Sequence, residues 1–263
     1  MILTIFAPRI VSLAFSMRLS PFAESMSARL IDLEDVERVR GSPTEPFRLK
    51  IERLAIAAGE RVALLGPSGC GKSTCLDLLA MTLRPTRAVR FGLNLPDGER
   101  PDVAALWART DRTAMTRTRA RHFGYVLQTG GLLPFLSIYE NVVVSRRLLG
   151  LSCPGPALDI LRFLGIANLA GRTPARVSIG ERQRAAVARA LAHGPEIVLA
   201  DEPTASLDPA NAGKVMELLV RLAAELRITL VVVSHDRSSV ERMDLRPIEC
   251  VVADGATVIR NEG

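Results

Sequence analysis

The stretch from Gly66 to Thr74 reads Gly66-Pro67-Ser68-Gly69-Cys70-Gly71-Lys72-Ser73-Thr74 and fits the phosphate-binding pattern G-x-x-x-x-G-K-[ST] without a gap. No other stretch restricts the fold as strongly. Glycines let the backbone wrap an anion closely, so that several N–H groups converge at the start of a helix whose dipole favours negative charge. Such a loop needs a strand before it and a helix after it. Arg61-Val62-Ala63-Leu64-Leu65 is an apolar run of buried-strand length, and Cys75 to Met81 continues with helical patterning. Lys72 adds a mobile cation for the β- and γ-phosphates, and the Ser73 hydroxyl is placed to complete the shell of a magnesium ion. The only lysines are Lys50, Lys72 and Lys214 in a chain that otherwise uses arginine, so a lysine at this position is not composition noise.

At 263 residues with 48% hydrophobic content, the chain is long enough for one well-buried α/β domain with a small attached subdomain, and disorder as the main state is excluded. The net charge of +6 suits an anionic partner without choosing among nucleotide, acidic lipid and nucleic acid. Cys70, Cys75, Cys153 and Cys250 are too sparse for a disulfide scaffold and lack metal-ligand spacing, which fits a reducing cytoplasm. Cys70 sits inside the phosphate loop, where it is either a small inert filler or a thiol whose pKa the helix N-terminus lowers. Met1 to Met17 is apolar but broken by Pro8 and Arg9, too short to span a bilayer, and lacks a signal-peptide charge pattern. Residues 1–27 therefore read as a loose tail, with translation starting at Met17 or Met26.

Ala28 to Val39 and Phe47 to Ile56 alternate as strands, with Phe47, Leu49 and Ile51 on one face and Arg48, Lys50 and Glu52 on the other, as in an antiparallel sheet packed on one side. Arg40 to Pro43 turns the chain between them. Ala88 to Phe91 reads as a further strand, Asn94 to Pro101 as a polar loop, and Asp102 as the N-cap of a short helix through Trp107. Arg109 to Arg121 holds five arginines but no stacking aromatics, which favours a solvated surface near acidic lipid headgroups over a nucleic-acid patch. Phe123 to Leu127 is a strand stopping at Gln128. Ser137-Ile138-Tyr139-Glu140 is a capping-box pattern opening a helix, Cys153 to Pro156 breaks it, and another helix follows around Ala157 to Leu164. Residues 129–177 thus interrupt the strand-helix alternation as an inserted helical subdomain.

Ile197-Val198-Leu199-Ala200 is a buried-strand run ending in Asp201-Glu202. Beside a phosphate loop, such a strand end supplies the carboxylate that holds magnesium, here Asp201. Glu202 is the candidate general base for the water that attacks the γ-phosphate. Ser178-Ile179-Gly180-Glu181 leads a strong helix through Leu191, and a capping box alone accounts for Ser178 and Glu181. The same helix end is also an anion site, able to bind the far side of a nucleotide presented by another subunit.

With these residues in view, the chain resembles the ATP-binding subunits of ABC transporters from about Ala28 onward. Gly66 to Thr74 is similar to the Walker A loop, Gln128 to the Q-loop, Val177 to Glu181 with Arg182-Gln183-Arg184 to the signature segment, and Ile197 to Glu202 to Walker B. Ser206-Leu207-Asp208 resembles the D-loop and His235, after Val231 to Ser234, the switch histidine. Leu132-Leu133-Pro134 with Glu140-Asn141-Val142 is similar to the branch serving lipoprotein release, macrolide export and the cell-division pair.

The resemblance implies a phosphate-loop NTPase with a parallel core sheet, an antiparallel β subdomain and the inserted helices, the ATP-binding domain covering residues 28–263. It implies MgATP, held by Gly66 to Thr74, Ser178, Gly180 and Asp208, with Ser73, Gln128 and Asp201 on the metal and no metal beyond magnesium. Lys72, Gln128, Glu202 and His235 would carry hydrolysis, His235 by a hydrogen bond to the γ-phosphate. The partners it implies are a second copy meeting head to tail and an integral membrane permease, not nucleic acid, with the chain cytoplasmic and peripheral on the inner face of the plasma membrane. Two departures stand out. Ile179 occupies a signature position that is usually glycine, and the family's adenine-stacking aromatic aligns with Arg40, whose guanidinium or whose neighbour Phe47 would take over the stacking. An ATP-dependent regulatory clamp with little hydrolysis is the alternative function.

Overall fold

The computed structural model describes residues 29–42, 46–152, 155–253 and 255–261. The proposed tail, Ala28, Pro43 and Cys153 lie outside them. Among the described residues nine strands form one mixed sheet: β1 (Arg29–Gly41), β2 (Pro46–Ala57), β3 (Arg61–Leu65), β4 (Arg87–Leu93), β5 (Phe123–Val126), β6 (Ile197–Asp201), β7 (Thr229–Ser234), β8 (Arg246–Ala253) and β9 (Ala256–Arg260), in the order β4-β1-β2-β9-β8-β3-β7-β6-β5. Strands β8, β3, β7, β6 and β5 run parallel, whereas β4, β1 and β2 pair antiparallel. Strand β9 joins the halves, parallel to β2 and antiparallel to β8. The helices are α1 (Lys72–Leu79), α2 (Val103–Arg109), α3 (Arg112–His122), α4 (Ile138–Leu148), α5 (Gly155–Phe163), α6 (Ile179–Leu191), α7 (Pro209–Glu225) and α8 (Arg237–Arg242).

Strands β3, β6 and β7 are buried on both faces because packed elements cover both, which is why they read as nearly unbroken apolar runs, whereas β8 buries only Ile248 and Cys250. Ala63, Leu65, Val198, Ala200 and Val232 face a core shared with α4, α5, α6 and α7. Val62, Leu64, Ile197, Leu199, Val231 and Val233 face a second core with α1 and the antiparallel strands. Each wholly buried valine or leucine contributes about 1.5–3 kcal/mol against its exposed state. Sheet and helix approach closely at Gly124, where an added Cβ would stand 2.2 Å from the Ala190 carbonyl oxygen.

The phosphate-loop helix ends at Leu79, earlier than the pattern to Met81 suggests, because Met81 takes a left-handed conformation with φ 55°. Arg109 to Arg121 also differs from a plain solvated surface. It folds largely into α3, and Arg119 turns inward to donate to the Met81 carbonyl at 2.9 Å. The inserted segment holds α4 and α5 as the sequence suggests, and both expected capping boxes form, at Ser137 with Glu140 and at Ser178 with Glu181.

Candidate functional site

The sheet register assembles the site along one edge, at the carboxyl ends of the parallel strands, where open α/β sheets bind ligands. Leu65, the last residue before the loop, pairs with Ser234, so the glycine loop and His235 emerge side by side. Asp201 pairs with Val233, and Val126 pairs with Ala200, so Gln128 and Glu202 each stand two residues beyond a matched pair.

The loop has the backbone its sequence calls for. Gly71 caps α1 with φ 102° and Gly69 has φ 80°, conformations that side-chain-bearing residues avoid. The cap uses no side chain, which leaves the N–H groups of the first turn for an anion. Cys70 and Thr74 are buried beneath the turn, while Pro67, Ser68 and Gly69 are exposed.

Lys72 differs from the mobile cation expected. It is buried, and its ammonium folds back to donate to the carbonyls of Gly66 at 2.8 Å and Pro67 at 2.7 Å, with the Cys70 sulfur at 3.8 Å. A buried ammonium with three donors must find acceptors, and the loop's own carbonyls supply them. Cys70 lies in this wall near Cys250, both within about 3.0 Å of where a Cβ on Gly66 would sit.

Ser73 and Asp201 come from α1 and β6 and meet directly, the Ser73 hydroxyl donating to Asp201 Oδ1 at 2.9 Å. Two cis ligands of an octahedral magnesium, each about 2.1 Å from the metal, stand about 2.9 Å apart, so this pair fits such an ion. Burial pushes the Asp201 carboxyl upward; the Ser73 hydrogen bond opposes that shift, and the charges of Glu202 and Asp77 add to it. Several acidic groups facing one small volume favour a dication there.

Glu202 follows immediately, with φ 41°, an uncommon conformation that a bulky residue adopts only when its surroundings impose it. Its Oε1 lies 4.0 Å from His235 Nδ1. Glu202 is half-buried, whereas His235 and Gln128 are exposed at the mouth of the site.

Arg40 and Phe47 are cross-strand partners in β1 and β2, and the guanidinium lies 4.9 Å above the phenyl ring. The ring in turn covers the glycine loop, its tip 2.6 Å from where a Cβ on Gly71 would be. The two stacking candidates are therefore one platform, with Phe47 against the loop and Arg40 outside it.

Ser178, Gly180 and Asp208 form a separate cluster. Ser178 caps α6, Asp208 caps α7 by accepting from Asn211 N at 3.1 Å, and Leu207 lies 3.9 Å from a Cβ placed on Gly180. Among the described residues no hydrogen bond or ion pair joins this cluster to the Gly66–Thr74 loop. Ile179 is half exposed on the same helix tip.

Two further residues belong to the site's support: Gln183, which lies within the signature-like segment, and Arg189, which escapes a reading by motif. Arg189 of α6 donates to the carbonyls of Gly131 at 2.6 Å and Gly130 at 2.9 Å, and Gln183 donates to Leu127 O at 3.4 Å. Together they tie the segment around Gln128 to the helix that Ser178 begins. The available signal is a buried glutamine and a largely buried arginine in a helix whose inward positions are otherwise mostly alanine and valine.

The family described as "ABC transporter" matches residues 49–205. The lipoprotein-releasing system ATP-binding protein LolD of Legionella pneumophila (strain Paris) is 39% identical over 199 residues, 74% of this chain and 83% of that protein. LolD of Anaeromyxobacter dehalogenans (strain 2CP-C) is 38% identical over 244 residues, 89% of this chain and 97% of its own length. Among solved structures, the ATP-binding cassette MJ0796, in a dimeric post-hydrolysis state bound to ADP and Pi, is 32% identical with a TM-score of 0.71, covering 86% of this chain and 96% of that one.

Proposed function

The chain belongs to the ABC transporter family as one of its ATP-hydrolysing subunits, and from that premise we propose that it powers a lipoprotein-releasing type of transporter, working as a head-to-tail pair on a separate membrane permease. The observation that carries this is the split of the motif residues into two clusters. One holds Lys72, Ser73, Asp201, Glu202 and His235; the other is Ser178, Gly180 and Asp208. A second copy turned head to tail offers its Ser178 helix end to the first copy's nucleotide and receives the first copy's in return, which completes both sites. MJ0796 is dimeric in the similar structure, and the named relatives belong to lipoprotein-releasing systems.

In this mechanism the glycine-loop N–H groups hold the β- and γ-phosphates, and Lys72, exchanging the Gly66 and Pro67 carbonyls for phosphate oxygens, offsets charge that develops on the transferring group. Ser73, Asp201 and Gln128 would hold magnesium, which supplies charge neutralisation at the phosphate oxygens. Glu202 orients the attacking water and accepts its proton as the new oxygen–phosphorus bond forms and the bond to ADP breaks. His235, beside Glu202, donates to a γ-phosphate oxygen and fixes the geometry. The adenine stacks on the Arg40–Phe47 platform. The ATP-binding domain spans residues 28–263, with 129–177 as its helical insertion.

Coupling runs through the segment that Arg189 and Gln183 hold. Leu127, Leu133 and Phe135 are exposed beside Gln128, next to a groove lined by Tyr125, Leu127, Ser145 and Arg189. That face suits a short amphipathic helix of the permease. No helix among the described residues is long and apolar enough to cross a membrane; the permease would hold the chain at the inner face.

The test is Glu202→Gln. Hydrolysis is expected to fall by at least about 100-fold while ATP with magnesium drives the variant into a pair on size exclusion. Full activity in the variant, or a monomer at saturating ATP, overturns the two-cluster reading. Retained pairing with negligible wild-type hydrolysis, even beside the permease, would favour the regulatory clamp.

A further inference from the structure

The edge of the sheet opposite the nucleotide loop holds a second constellation that phosphate chemistry does not use. His122 ends α3 and Glu196 immediately precedes β6; since Phe123 pairs with Ile197, the residues ahead of them stand side by side. The His122 ring is 1% exposed, and its Nδ1 lies 2.9 Å from Glu196 Oε2. Its other nitrogen, Nε2, is buried without a hydrogen-bond partner. The carboxylate it faces, Asp97 Oδ2, is 3.6 Å away, too far for a hydrogen bond.

Asp97 and Glu99 come from the loop after β4. Asp97 Oδ1 accepts from the Glu99 N–H at 3.1 Å, which fixes the turn around Gly98 and leaves Oδ2 toward the ring. One donor atom from each of Asp97, Glu99 and His122 lies within 4.8 Å of the others. A buried imidazole held by a carboxylate at one nitrogen and bare at the other, with two carboxylates converging on the bare side, is the arrangement by which proteins orient a histidine ligand.

We propose that Asp97, Glu99 and His122 bind a divalent transition-metal cation of the zinc class, with Glu196 as the positioning residue for the imidazole. One nitrogen and two carboxylate oxygens suit zinc, whose remaining position goes to water. The mixed donor set and the buried nitrogen favour it over magnesium or calcium, which take oxygen. This departs from the sequence-based expectation of no metal beyond magnesium. The ligands are scattered over 26 positions of chain and have no motif spacing. Two arginines approach the same carboxylates: Arg121 lies 3.3 Å from Asp97 Oδ2, and Arg117 lies 4.0 Å from Glu99 Oε1. Both are half or more exposed, so either can turn to solvent when a cation enters. The site would pin the 94–101 loop to the junction of α3 and β5, at the end of β5 opposite Gln128; the four residues of that strand alone span on the order of 13 Å. The proposal is independent of the nucleotide reading.

The experiment uses the full chain washed with chelator and then saturated with magnesium and ADP, so that the acidic groups at the loop are occupied. Zinc is titrated by calorimetry, and cobalt is used as a spectroscopic probe. One zinc per chain is expected, with a cobalt spectrum of nitrogen and oxygen ligands free of thiolate charge transfer. Asp97→Asn and Glu99→Gln should each weaken binding by at least about tenfold, His122→Gln should abolish it, and Glu196→Gln should weaken it by about 10- to 100-fold. Zinc should raise the melting midpoint of the wild type and not of Asp97→Asn. Because His122 is buried, its variant alone is not decisive; the two surface carboxylates are. Absent binding, a thiolate spectrum, or affinity unchanged in both Asp97→Asn and Glu99→Gln overturns the proposal.

Discussion

At the scale of single residues, the two departures from the family pattern have different standing. Arg40 and Phe47 form a stacked pair, but only the ring touches the glycine loop, 2.6 Å from the Gly71 Cβ position. A base stacked there contacts phenyl first, and an aromatic contact of this kind is worth about 0.5–1.5 kcal/mol. Phe47→Ala is therefore predicted to weaken binding of a fluorescent ATP analogue by roughly two- to tenfold, since 1.4 kcal/mol is one decade, and Arg40→Ala by less. The reverse order would make the guanidinium the platform. Ile179 is half exposed at the first position of α6, where its β-branched side chain projects toward whatever meets that helix end. Ile179→Gly is predicted to raise turnover or leave it unchanged in a steady-state ATPase assay. A clear loss of activity would show that the side chain does not crowd the neighbouring nucleotide.

At the scale of elements, the parts legible in the sequence are those whose cause is local. Ser137 with Glu140 and Ser178 with Glu181 are readable because a capping box is complete within four residues, and in both the cap N–H donates to the glutamate carboxylate at 2.8 Å. The inward turn of Arg119 was not legible, since its acceptor, the Met81 carbonyl, lies 38 positions away. Neither was the work of Asn141. Wholly buried in α4, it accepts from Leu133 N at 2.7 Å and donates to the carbonyls of Leu133, Leu136 and Ser137. Those bonds shape the loop between Gln128 and α4. Asn141→Leu keeps the branched outline of the side chain and orphans buried backbone groups, so it is predicted to cost about 3 kcal/mol in urea unfolding, whereas Ser137→Ala costs about 1 kcal/mol. Faster amide exchange at Leu133 should accompany the larger loss. Equal costs for the two variants would mean that Asn141 is only a second cap.

At the scale of the whole molecule, the sheet order explains what local patterns cannot. β9 pairs with β2 and β8, and β4 lies outside β1, because long-range pairing decides those positions. The motif residues could be read in order, while their meeting along one edge depends on registers such as Leu65 with Ser234. The same packing buries His193 where α6 leans on β5, its Nε2 3.1 Å from the Phe123 carbonyl. Burial lowers its pKa to about 4, the carbonyl opposes that shift, and Arg146 and His122 add to it. The folded chain therefore holds the ring neutral between about pH 4 and its ordinary value near 6.5, where the unfolded chain binds a proton. Stability rises with pH across that window: the contribution is complete above about pH 6.5 and is lost as pH falls toward 4. Two to three units correspond to about 3 kcal/mol. Asp201, shifted upward, acts in the opposite sense, and the depressed carboxyls of Glu140, Glu181 and Asp236 lose their contribution from their ordinary values of 4.5 and 3.8 downward, at the acid end of the window and below it. The informative quantity is thus the difference between wild type and His193→Gln, whose amide can still donate to Phe123. From pH 7 to pH 5 the wild-type urea midpoint is predicted to fall more steeply than that of the variant; parallel curves would place the imidazole's titration outside this range.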